Sequence, residues 1–331
     1  MLKCCLLGAG RIGQVHGANV VAHPGAHLEW VIDAQPAVAE RTAEAMGAKA
    51  STNPGDAIGD PDVDAVIICS PTPTHVDLIR ASARAGKAIF CEKPIDLHLG
   101  RVEEAMSEVE AAQVPFFIGF NRRFDRSFQR LKTELANGVV GRLEMVHIIS
   151  RDPAPPPMEY LRQSGGLFRD MMIHDLDMAR WVLGDEPVKV YATGSALIDP
   201  SIGQMGDVDT ALVTLETKEG VLCQISNSRR AAYGYDQRIE VLGSKGMLRA
   251  ENVQSHTVGR WTAEGVHQDN PPHFFIERYM DAYRAELQHF IRAIQDPSQP
   301  LLTGPHDGRQ ALVLANACIQ SLELGRPVQL S

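Results

Sequence analysis

Leu2-Lys3-Cys4-Cys5-Leu6-Leu7-Gly8-Ala9-Gly10-Arg11-Ile12-Gly13-Gln14-Val15-His16 opens the chain and decides how the first third of it is read. A short apolar run, predicted as a strand over 3–7, goes straight into a G-x-G-x-x-G turn. The turn leads into a predicted helix over 12–21. In such a turn the first glycine allows the tight bend. The second lets the backbone approach a pyrophosphate, and the third lets helix and strand pack closely. The free N–H groups at the helix start then face phosphate oxygens. The segment predicts a dinucleotide site built on Gly8, Gly10, Arg11, Ile12 and Gly13.

The same alternation continues downstream. Strands are predicted over 28–32, 65–69, 88–91 and 116–120. Helices are predicted over 36–46, 75–85 and 99–112. Apolar strands separated by helices of this length imply right-handed βαβ units and a doubly wound parallel sheet of the Rossmann type. Asp33 ends the strand 28–32, 20 residues after Gly13. A carboxylate there accepts from an adenosine ribose and repels a 2′-phosphate. The neutral Ala34-Gln35-Pro36 that follows favours NAD over NADP, with Arg11 and Arg41 the two side chains that argue the other way. Ser70-Pro71-Thr72-Pro73-Thr74-His75 ends the run 65–69 at the sheet edge where open α/β sheets bind ligands. Ser70, Thr72 and His75 are the expected cofactor contacts, and Thr74 is placed to cap the next helix.

Past residue 120 the pattern changes. A helix is predicted over 124–136, strands over 143–150, 188–193, 210–217, 221–226, 238–242, 247–250 and 255–260, and helices over 173–183, 277–294 and 308–324. The reading is an α/β protein with two domains. Residues 1–120 form the NAD-binding Rossmann domain, and residues 121–331 form an α+β domain with a largely antiparallel open sheet.

Two further stretches carry reactive chemistry. Glu92-Lys93-Pro94 ends the strand 88–91 on the ligand edge. A partly buried ammonium at Lys93 stabilises oxyanion character on a substrate, and its X-Pro bond is of the kind that can be cis. In Gly165-Gly166-Leu167-Phe168-Arg169-Asp170-Met171-Met172-Ile173-His174, Asp170 and His174 are four apart, which is one face of a helix. His174 suits a general base near neutral pH, and Asp170 an orienting carboxylate.

Composition narrows the class. The 331 residues are 44% hydrophobic and 22% charged, with net charge −9. That profile disfavours nucleic acid and anionic membrane as partners. No apolar run approaches membrane-spanning length, and the short N-terminal run reads as a buried strand, so a cytoplasmic protein is expected. The six cysteines form no CxxC pair, and no Cys/His cluster has metal-ligand spacing. They read as small buried hydrophobes, with no metal.

Taken together, GAGRIG, the SPTPTH loop, EKP, GFNRRFD and GGLFRDMMIHDLDMARW resemble the glucose–fructose oxidoreductase/inositol dehydrogenase (Gfo/Idh/MocA) family. NSRRAAYGYDQRIEVLGSKG is similar to its inositol 2-dehydrogenase branch. The resemblance implies NAD-dependent oxidation of a small cyclic polyol such as myo-inositol to an inosose. His174 would be the base, Asp170 its orienting partner, and Lys93 would bind the reacting oxygen. It also implies cofactor contacts at Glu92, Lys93 and Asn121, and polyol contacts at Arg122, Asp152, Tyr233 and Tyr283 or Tyr279. The family often forms homotetramers through the open sheet face. Asn121 departs from the pattern, since an apolar residue such as Met is expected there, and this alters the nicotinamide pocket. Open alternatives are a scyllo-inositol or pyranose dehydrogenase, an NAD-dependent glycosidase, and a non-catalytic NAD-sensing regulator.

Overall fold

A computed structural model describes residues 1–330. They form two compact units: 1–124 with 281–312, and 125–280 with 313 onward. The single boundary at residue 120 is therefore corrected, because the chain returns to the first unit near its end. The reason is apolar. The helix Phe275–Gln295 places Phe290, fully buried, with its ring 5.6 Å from Phe90 and 5.9 Å from Phe117, so its later turns complete the core of the first unit.

The first unit holds six strands: β1 (Leu2–Leu7), β2 (Ala26–Ile32), β3 (Lys49–Ser51), β4 (Ala65–Ile68), β5 (Ala88–Glu92) and β6 (Phe116–Gly119). Their order is β3-β2-β1-β4-β5-β6, with every pair parallel. β4, β5 and β6 are buried at every residue, as central parallel strands covered on both faces require. β3 was not foreseen. It is a three-residue edge strand with no apolar run to announce it. The order reverses at β1 and β4, which opens a crevice beyond their C-terminal ends.

The second unit holds a seven-stranded sheet. Its strands are β7 (Leu143–Arg151), β8 (Pro187–Ser195), β9 (Thr210–Thr217), β10 (Leu222–Ser228), β11 (Asp236–Gly243) and β12 (Gly246–Ala250), with the short terminal strand Val328–Gln329. The order is β12-β11-β7-β10-β9-β8 followed by the terminal strand, and every pair is antiparallel except β7 and β10. Burial alternates along β9 and β10, so one face is packed and the other open. The strand expected over 255–260 is replaced by a hairpin, Gly259–Thr262 with Gly265–Gln268. All six cysteines are buried and free, and burial pushes the Cys4 thiol up to about 12. Among the described residues no helix is long and apolar enough to cross a membrane.

Candidate active site

The glycine turn behaves as its residue types demand. Gly8 has φ +95°, and a Cβ there would meet the Ser70 nitrogen at 2.5 Å. A Cβ on Gly13 would lie 2.0 Å from the Gly8 carbonyl oxygen. Gly10 differs, because a Cβ there would meet nothing within 4 Å. The first two glycines serve the fold, whereas Gly10 keeps space open in front of the helix Arg11–Ala22 (α1). Gly10 is the N-cap residue and offers no side-chain acceptor, so the first N–H groups of α1 have none from that residue. An open approach to these N–H groups fits a dinucleotide pyrophosphate. Arg11 is exposed at the first position of α1, followed by Ile12.

Asp33 stands just beyond β2. Its Oδ2 accepts from the Ala9 N–H at 2.9 Å, and its Oδ1 from the Gln35 N–H at 2.9 Å. The carboxylate therefore lies beside the glycine turn. Arg41, on the helix Pro36–Met46, is exposed.

Ser70 and Thr72 follow β4, with Thr72–Thr74 forming a 3-10 turn. Thr74 does not cap the following helix by its side chain. Its hydroxyl instead donates to the Pro71 carbonyl at 2.8 Å and lies 2.6 Å from Ser70 Oγ. The cofactor role expected of the His75 side chain is also corrected. His75 is 1% exposed, and its two ring nitrogens face the carbonyl oxygens of Pro94 at 2.8 Å and Ser70 at 2.7 Å. Burial lowers its pKa, against the pull of those two carbonyls.

Lys93, half-buried, follows β5, and the Lys93–Pro94 bond is cis. The Glu92 side chain turns inward to His16, with Oε1 2.7 Å from Nε2, rather than outward to a ligand. Asn121 and Arg122 occupy a buried 3-10 turn directly after β6. Gly8, Asp33, Ser70, Lys93 and Asn121 thus lie at the C-terminal ends of β1, β2, β4, β5 and β6, along one edge of the sheet. Tyr283 is 6% exposed, and its ring stands edge-on to His16 at 5.6 Å.

In the second unit, Asp170 and His174 do not share one continuous helix. Asp170 ends the helix Gly166–Asp170, and His174 is the second residue of Ile173–Leu183. The chain bends at Met171 and Met172, both of whose N–H groups bond to the Leu167 carbonyl. Gly165 and Gly166 have φ +86° and +83°, and a Cβ on Gly166 would meet Asp207 at 2.8 Å. The diglycine is therefore required by the backbone that leads into this segment.

Two residues that the sequence reading missed hold Asp170. Tyr160 donates its hydroxyl to Oδ1 at 2.8 Å, and the fully buried Arg229 donates to Oδ2 at 3.2 and 3.3 Å. Burial first, then the Asp170 charge, pushes the Tyr160 phenol above its ordinary range. Arg229 directly follows β10, which pairs parallel with β7. That pairing sets Asp152, which follows β7, beside Ser228 at the end of β10, with the Asp152 N–H on the Ser228 carbonyl at 3.0 Å. The available signal was the first basic residue of Asn227-Ser228-Arg229-Arg230, directly after an alternating strand. Tyr233 is 40% exposed, and its hydroxyl donates to Asp236 at 2.6 Å and accepts from Arg151 at 2.9 Å. Tyr279 is 1% exposed, with its hydroxyl 3.4 Å from Gln237 Oε1.

Residues 2–120 match the family model for the oxidoreductase family with an NAD-binding Rossmann fold, and residues 128–249 match that for the GFO/IDH/MocA C-terminal domain. The chain is 49% identical to an inositol 2-dehydrogenase of Rhizobium meliloti, over 98% of both chains. It is 47% identical to a myo-inositol 2-dehydrogenase of Thermotoga maritima, over 99% of this chain and 98% of the other. The crystal structure of a myo-inositol dehydrogenase from Corynebacterium glutamicum superposes with a TM-score of 0.96 at 45% identity, covering 100% and 99% of the two chains. Residues 2–120 accordingly form an NAD-binding Rossmann fold, and the chain belongs to the GFO/IDH/MocA family of oxidoreductases.

Proposed function

We propose that this protein is an NAD-dependent inositol 2-dehydrogenase that oxidises myo-inositol to 2-keto-inositol. The observation that carries this reading is 47–49% identity to two inositol 2-dehydrogenases over nearly the whole chain. In the reaction one ring carbinol loses a hydride from carbon and a proton from oxygen. NAD, when bound, accepts the hydride.

The residues divide the remaining work. His174 takes the hydroxyl proton as general base. Asp170 orients it, and is itself held by the donors of Tyr160 and Arg229. The Lys93 ammonium faces the reacting oxygen and stabilises the charge that develops there. Arg122, Asp152, Tyr233 and Tyr283 supply hydrogen bonds to the other hydroxyls of the ring. The Asp33 carboxylate disfavours a 2′-phosphate, so NAD is used in preference to NADP.

The protein works as a cytoplasmic homotetramer. Support for self-association comes from the open face of the seven-stranded sheet, where Tyr191, Leu212, Leu222, Leu242 and Met247 are each at least 39% exposed. Apolar side chains gathered on one face mark a contact surface.

NADH formation, followed by absorbance with NAD or NADP against myo-inositol, scyllo-inositol, chiro-inositol and glucose, tests the reading. Turnover with myo-inositol and NAD is the expected result. Turnover confined to another polyol moves the substrate. Binding of NAD without turnover of any polyol overturns the proposal.

A further inference from the structure

Lys93 lies between two chain neighbours, each held by a buried histidine. On one side, the carboxylate of Glu92 meets His16 Nε2 at 2.7 Å, and His16 is fully buried. On the other, the carbonyl oxygen of Pro94 lies 2.8 Å from His75 Nδ1. The ladder between β5 and β6 ends at the pair Glu92 and Gly119. Beyond that pair the sheet no longer fixes the backbone, and the His75 contact does so instead.

Both anchors are packed into place. A Cβ on Gly119 would lie 3.1–3.2 Å from the Glu92 carboxyl group, so only glycine there leaves that group its full space. The His16 ring is walled edge-on by Phe90 at 4.8 Å and Tyr283 at 5.6 Å. The fully buried Glu286 lies behind, with Oε1 3.9 Å from His16 Nε2. His75 Nε2 also lies 2.7 Å from the Ser70 carbonyl oxygen, so one ring sits between the loop after β4 and the turn after β5.

We propose that His16 and His75 are positioning residues for Lys93, which hold the backbone on either side of it so that its ammonium meets the reacting oxygen. This rests on the reading of Lys93 given above. A side chain at a strand end inherits every displacement of the backbone beneath it. A shift of about 1 Å in such a group costs on the order of 100-fold in rate.

His75 allows a test that separates its two nitrogens. An asparagine amide reaches the Nδ1 position, so His75→Asn keeps a group against the Pro94 carbonyl and loses the contact with Ser70. His75→Gln does the reverse. In the full-length enzyme with NAD and myo-inositol, His75→Gln is expected to lower kcat at least about 10-fold, with the Kd for NAD within about 2-fold of wild type. His75→Asn keeps kcat within about 3-fold. Equal losses in the two variants, or wild-type kcat in His75→Gln, overturn the proposal.

If thermal melts show that either His75 variant is misfolded, the same comparison at His16 decides with the pattern inverted. His16→Gln keeps the donor to Glu92 and stays active, His16→Asn loses kcat, and equal behaviour overturns the inference. Lys93→Ala is measured in parallel. Wild-type turnover in Lys93→Ala refutes the assignment of Lys93 itself, whereas a loss there with no difference within the histidine pairs refutes only the positioning role.

Discussion

Asp33 Oδ2 accepts a hydrogen bond from the Ala9 N–H at 2.9 Å, across 24 residues of chain. The carboxylate proposed to discriminate the ribose is thereby also a strut of the glycine turn. The two roles separate by substitution. Asp33→Asn keeps an acceptor oxygen and removes the charge. It is expected to raise kcat/KM with NADP, relative to NAD, by about 10-fold, for roughly 1.4 kcal/mol of relieved repulsion. Asp33→Ala also loses the acceptors for Ala9 and Gln35, and should cost about 1–3 kcal/mol of stability besides. Cofactor kinetics with denaturant melts check both. An unchanged cofactor ratio in Asp33→Asn refutes the assignment.

Gly10 and Gly13 should fail in different ways. Space around Gly10 is open and its φ is −68°, so Gly10→Ala is expected to melt like wild type yet bind NAD at least about 10-fold more weakly, because the methyl group stands where the pyrophosphate approaches. The Cβ of Gly13→Ala would fall 2.0 Å from the Gly8 carbonyl, so this variant loses the turn and several kcal/mol of stability. Thermal denaturation paired with NAD titration reads the difference. Identical behaviour of the two variants contradicts the division of labour.

On the proposed role of His174 as general base, His174→Ala should lower kcat by about 100-fold or more and leave NAD affinity intact, because that role is proton transfer alone. Arg229→Lys keeps the charge beside Asp170 but loses the planar fork that meets Oδ2 with two nitrogens. It should lower kcat by about 10-fold with a smaller effect on NAD binding. Steady-state kinetics with a titration of NAD decides each. Near wild-type turnover in His174→Ala rejects it as the base.

Glu286 gives a pH-dependent prediction. Burial, and then the charge of Glu92, hold its carboxyl well above the ordinary carboxylate range. Between its unfolded pKa and the raised folded value, the native state keeps a proton that the unfolded chain has released. Stability from this group is therefore present at acid pH and falls as pH rises through that window. Glu286→Gln cannot ionise, so its stability relative to wild type should grow from pH 5 to pH 8, by at most about 1.4 kcal/mol per pH unit. Urea melts across that range test the slope. A parallel pair of curves means that Glu286 is ionised in the native protein.

The sequence by itself determined the elements whose cause is local. The glycine turn, the fully apolar strands and the ends at Gly47 and Gly184, both in the left-handed conformation, follow from residue type and spacing. So do the places of Asp33, Lys93 and Asn121 along one sheet edge, because each directly follows a recognisable strand. What only the tertiary structure decided depends on residues far apart in the chain. Arg229 reaches Asp170 across 59 positions, Glu286 lies behind a pair formed by His16 and Glu92, and the helix bearing Phe290 rejoins the first core. His75 reads in sequence as a cofactor contact at the start of a helix, yet its ring is buried between two carbonyls 5 and 19 residues away. Periodicity reports which face of an element is buried. Only the packed chain shows which polar groups must be matched once water has been removed from around them.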